Sequence, residues 1–244
     1  MTKEHILVSI FRMGFIAVIV LIIASILSLF LPVDAPEPTQ AAAAEWLNTI
    51  AGGYLIGWIN QIVLMLACSI ILAGGAALIY PSAPMRATAV WILALIATTV
   101  FLIAKFLLFW AVPMSVKAIA AQNQGAGEAE TVLMALGPDV AYGIIPALDS
   151  LGFIFYAVIG LILFLPLFRL SVSGKVASLA LLAFSVSYLF FMAAALIDIF
   201  SESEFSALAY NSATLIVVFA VALAFPFRAG LNAISAIDKG AGDL

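Results

Sequence analysis

Lys105 is embedded in an apolar run, with ATTVFLIA before it and FLLFWAV after it. A charge inside a membrane helix is costly unless it is paired, hydrated or lifted to the headgroups, so it is a functional candidate by default. Trp91, Thr98 and Lys105 recur at seven-residue steps and share one helix face. Phe101 and Phe109, a turn to either side, are within reach for cation–π contact. Asp198, in FFMAAALIDIF, is the partner predicted from depth, because both residues stand toward the outer ends of their helices. The blander alternatives are a snorkelling lysine whose stem reaches the headgroups, and an interfacial acid at a helix end.

Asn60 and Gln61 form a second polar spot. They belong with a four-residue stripe, Gly53, Gly57, Gln61, Met65, Ser69, Ala73, Ala77, whose first two members make a GxxxG step. Small residues on one face let helix backbones approach closely, and an amide can hydrogen-bond across the contact. Packing is therefore the first expectation for Gly53 and Gly57, with ligand binding the second for Asn60 and Gln61. Tyr188, Asn211 and Asp149 also fall in the outer half. Lys105, Asp198, Asn60 and Gln61 thus predict a polar layer or shallow cavity open to the external side. No polar path continues to the opposite side, which argues against a channel or proton wire.

Other chemistries lack their residues. The single histidine, His5, lies at the amino end, so haem ligation and Ser–His or Cys–His catalysis have no central imidazole. The single cysteine, Cys68, lies in an apolar run and reads as a small buried hydrophobe. There is no glycine-rich phosphate loop, no HExxH and no basic nucleic-acid patch. Asp149, Asp139 and Glu130 could hold a divalent ion near the outer surface, but their spacing matches no motif and acidic loops are usually solvated. No metal site and no obligatory cofactor are predicted. The 18 phenylalanines admit a bound lipid, pigment or quinone, although helix packing and lipid contact account for them more simply. A retinal Schiff base on Lys105 would resemble seven-helix rhodopsins, but helix count and the helix carrying the lysine both disagree.

The elements that position these residues follow from composition. Of 244 residues, 66% are hydrophobic and 9% charged, outside the range of soluble domains at about 25% charged. A spanning helix needs about 20 mostly apolar residues. Six stretches qualify, at about 6–33, 54–80, 87–112, 151–170, 176–200 and 207–227. The fold class is all-α: a polytopic integral membrane protein, a single membrane domain built as a bundle of six transmembrane helices. Pro32, Pro36 and Pro38 predict the end of the first helix, and Pro113 the end of the third. The first stretch is longer than a signal-peptide core and reads as a retained anchor. External segments are expected at 34–53 and 113–150, with a short helix over 128–136 (EAETVLMAL). Three spans on each side of the longer segment would suit an inverted repeat, yet the halves show no sequence similarity.

Seven basic residues fall on one side of this arrangement: Lys3, Arg12, Arg86, Arg169, Lys175, Arg228 and Lys239. The other side has only Lys117 in its loops. The excess marks the cytoplasm, so both termini are predicted to be cytoplasmic, in the plasma membrane (a bacterial inner membrane). The expected function is non-enzymatic: a subunit or accessory factor of a larger complex, with the lipid bilayer and other membrane proteins as partners and no nucleic acid. The alternatives are a small-solute or ion transporter with an outward-facing polar site, and an intramembrane lipid-modifying enzyme.

Overall fold

The computed structural model describes residues 3–122, 124–136, 143–197, 199 and 202–241, with backbone alone for 3–7, 202, 203, 205–207, 209, 210 and 233–241. Among the described residues there are eight helices and no strand. They are α1 (Lys3–Leu27), α2 (Gln40–Thr49), α3 (Ala51–Ile79), α4 (Pro84–Ala121), α5 (Ala126–Leu136), α6 (Ile144–Phe168), α7 (Val172–Leu196) and α8 (Glu202–Ala241). Six are long and apolar enough to cross a bilayer, over Val8–Leu27, Ala51–Ile79, Pro84–Ala121, Ile144–Phe168, Val172–Leu196 and Asn211–Asn232. The two short helices, α2 and α5, lie in the stretches read as external.

Several helix ends differ from the sequence expectation. α1 stops at Leu27, short of residue 33. Leu29 and Phe30 then bond i→i−3, to Ile26 and Leu27. The helix thus winds off in tighter turns ahead of Pro32, which disfavours helix at Leu31. α4 runs through Pro113 to Ala121 instead of ending there. Proline removes one amide donor, but Val112, Val116 and Ile119 are completely buried one turn apart while Lys117 is exposed. Burial of that stripe outweighs the lost bond. α6 begins at Ile144, seven residues before the predicted start, which puts Asp149 inside a helix. α7 begins at Val172, because extended Ser171 caps it by accepting the Gly174 amide at 3.0 Å.

The chain packs as two compact units. The first comprises Met1–Ile22, Leu66–Ala97 and Phe153–Leu244. Its core turns on Phe227. The ring lies so close to both Gly14 and Gly74 that a Cβ at either would come within 2.8 Å and 2.7 Å of it. Phe11 stacks on the same ring at 6.2 Å. α7 packs along α8. Ser69 and Tyr156 share a hydroxyl hydrogen bond of 2.8 Å, and Trp91 donates its indole N–H to the Ala73 carbonyl at 3.0 Å.

The second unit comprises Ile23–Met65 and Thr98–Gly152. Here α2 turns Ala43 and Trp46 inward and leaves Glu45, Asn48 and Thr49 exposed. α5 turns Ala129, Leu133 and Leu136 inward. These side chains join Tyr54, Trp58, Leu108, Val112, Val116, Ile119 and Ile145 in one apolar core. Trp46 donates its indole N–H to the Asp34 carbonyl at 3.1 Å, which fixes the proline-rich segment ahead of α2.

Candidate functional site

Lys105 reaches the second unit's core from α4 and is buried, with 6% of its surface accessible. Its ammonium donates to Asp149 Oδ2 on α6 at 2.5 Å. The same ammonium stands 5.3 Å from the centroid of the Trp58 ring on α3. Sequence and packing together explain the meeting. Phe101, one turn before Lys105, presses on Gly152, about one turn after Asp149, where a Cβ would come within 2.5 Å of the ring. A glycine at 152 thus lets α4 and α6 approach closely enough for the ion pair to form. Trp58 extends an edge-to-face aromatic row, 6.0 Å from Tyr54, which in turn lies 4.9 Å from Trp46. The Tyr54 hydroxyl donates to the Leu108 carbonyl at 3.2 Å, a tie between α3 and α4.

The electrostatics of the pair are lopsided. The Lys105 side chain is 7% exposed and that of Asp149 is 26% exposed. The ammonium therefore depends on its two protein partners, Asp149 and Trp58. Asp149 Oδ1 and Trp58 Nε1 are both buried without a hydrogen-bond partner among the described residues. An unmade hydrogen bond on a buried group costs about 1–3 kcal/mol, so the cluster holds unused donor and acceptor capacity.

Asn60 and Gln61 meet the end of α1. Asn60 donates to the Ala24 carbonyl and to Ser28 Oγ, each at 2.9 Å, and Gln61 donates to the same Ser28 Oγ at 3.1 Å. Ser28 in turn donates to the Ala24 carbonyl at 2.9 Å. Gly53 and Gly57 lie along the same contact. A Cβ at Gly53 would stand 3.0 Å from Pro32 Cγ, and one at Gly57 would overlap the Pro32 carbonyl oxygen. The GxxxG step is thus the seat of the Pro32–Val33 segment, with the two amides continuing the contact along α3.

Asp198, the partner expected for Lys105, lies outside the described residues, as does Asp139. The acid that meets Lys105 is Asp149, which the sequence reading had set at the outer surface or in a divalent site. Among the described residues no group of three or more His, Cys, Asp or Glu side chains could hold a metal ion. Trp58, which the sequence reading did not single out as a candidate, is the ring that faces the ammonium. One signal pointed to Asp149: it is the sole acid in the apolar stretch from Gly143 to Phe168.

The fold and these contacts define an all-helical, membrane-embedded protein in which Lys105, Asn60, Ser69 and Trp91 each bond to another helix. Comparison of the chain with protein-family models, with curated proteins and with solved structures finds no match.

Proposed function

We propose that the protein is a non-enzymatic component of a larger membrane complex, held in a bacterial inner membrane with both termini in the cytoplasm. The observation that carries this is the use made of its polar candidates. Lys105 is bonded to Asp149, and Asn60 and Gln61 are bonded to Ser28 and the α1 backbone. Groups joined in this way hold helices together, the usual role of amides and small residues in membrane bundles. The seven basic residues on one side support the orientation. Purification from native membranes in mild detergent tests the proposal. Other membrane chains should accompany the protein at fixed stoichiometry through two successive columns. A solitary monodisperse species would overturn it.

One observation favours a second reading, a transporter for a small polar solute. Asp149 Oδ1 and Trp58 Nε1 are an acceptor and a donor still unused in the Lys105 cluster. In reconstituted vesicles this reading requires that Lys105→Ala abolish solute flux while the protein still folds. Unchanged flux removes it.

A further inference from the structure

A second cluster of cations lies in the first unit and has no role in the proposal above. The turn between α3 and α4 and the turn between α6 and α7 together line a cavity of about 480 Å³. Its walls are Ser82 and Ala83 of the first turn with Arg86 at the start of α4, and Arg169 and Leu170 of the second turn with Leu165 and Pro166 at the end of α6. Both arginines are exposed, and neither guanidinium has an ion-pair or hydrogen-bond partner among the described residues.

Two further features favour an anion here. Arg86 stands in the first turn of α4, which contains no acidic residue. A helix amino end already carries partial positive charge, so a guanidinium placed there is electrostatically unfavourable until an anion arrives. The first intrahelical bond of α4 runs from the Ala87 amide to Ala83, leaving the Met85 and Arg86 amides ahead of it as further donors. The planar forks of Arg86 and Arg169 suit the paired oxygens of a phosphate. Beside the arginines and Ser82, the wall is apolar, from Ala83, Leu165, Pro166 and Leu170. A free phosphate gains nothing from such a wall, whereas a lipid carries its glycerol and acyl chains away from the phosphate along it.

We propose that this cavity binds the phosphate of an anionic phospholipid headgroup, with Arg86 and Arg169 as its principal ligands. Basic pockets between membrane helices on the cytoplasmic side are built for such headgroups. By the distribution of Lys and Arg, both turns lie on that side.

Native mass spectrometry of the delipidated full-length protein, titrated with phosphatidylglycerol or phosphatidylcholine, tests the assignment. Phosphatidylglycerol should bind in preference to phosphatidylcholine. At about fivefold per cation near the surface, Arg86→Gln and Arg169→Gln should each weaken it roughly fivefold and the double variant about 25-fold. Arg228→Gln, an exposed cation outside the cavity, should leave the preference intact. If the double variant fails to fold, the single variants carry the test. Millimolar inorganic phosphate should not displace the lipid. Full retention of affinity in the glutamine variants, equal binding of phosphatidylcholine, or displacement by inorganic phosphate would each overturn the proposal.

Discussion

Lys105 holds its position through two contacts of different kinds, and each can be removed separately. Removing one member of a buried ion pair leaves the other uncompensated, at about 3–5 kcal/mol. Lys105→Met and Asp149→Leu should each destabilise the detergent-solubilised protein by about 3 kcal/mol, while the double variant recovers most of the loss. Thermal denaturation of the three variants measures this, and additive losses would show that the pair does not act as a unit. Trp58 gives the second test. Trp58→Phe keeps an aromatic face and removes an indole N–H that has no partner among the described residues. It should cost about 1 kcal/mol, against about 3–5 kcal/mol for Trp58→Ala, which also leaves a cavity. Lys105 could be singled out from sequence because its neighbours are apolar for a full turn on either side. Asp149 could not be singled out as a partner, since the predicted fourth span began at residue 151 and left it in an external segment, and only the earlier start of α6 brings it to Lys105.

At the scale of the element, the close seat of Pro32 on α3 makes a paired prediction. Gly57→Ala places a methyl group against a backbone carbonyl that cannot swing aside, whereas Gly52 has nothing within 4 Å of its Cβ direction. Gly57→Ala should therefore destabilise by about 1–3 kcal/mol, the cost of overpacking. Gly52→Ala should stabilise by about 0.5–1 kcal/mol, through helix propensity alone. Equal melting temperatures for the two variants would show that α3 does not make the close contact. The stripe from Gly53 to Gln61 was legible in the sequence because small residues every fourth position mark one helix face. The length of α4 was not. Pro113 is a local stop signal, and what overrides it is the burial of Val116 and Ile119 in a core shared with α5 and with Ala43 and Trp46 of α2, which are distant in the chain. The short helix over 128–136 was legible for the opposite reason: its helix-forming residues and the Gly137–Pro138 stop that follows them are local in the sequence, and α5 covers it with two residues added at the amino end.

For the molecule as a whole, six apolar stretches were evident from hydrophobic length, since a bilayer imposes about 20 apolar residues on every crossing. The proposed orientation makes a direct prediction. In a Cys68→Ala background, which leaves no other thiol, Glu45→Cys on α2 should react with an impermeant reagent applied to intact cells. Met85→Cys, 83% exposed beside the second span's end, should react only after permeabilisation. The reverse pattern would invert the topology. The ion pair also bears on how the protein is made. Lys105 precedes Asp149 by 44 residues. At about 5–20 residues per second, the nascent chain presents that lysine to the insertion machinery roughly 2–9 s before its counter-ion is synthesised. During that interval α4 carries the cost of an unpaired lysine, about 2.5–3.5 kcal/mol on insertion scales, which the arrival of α6 then offsets.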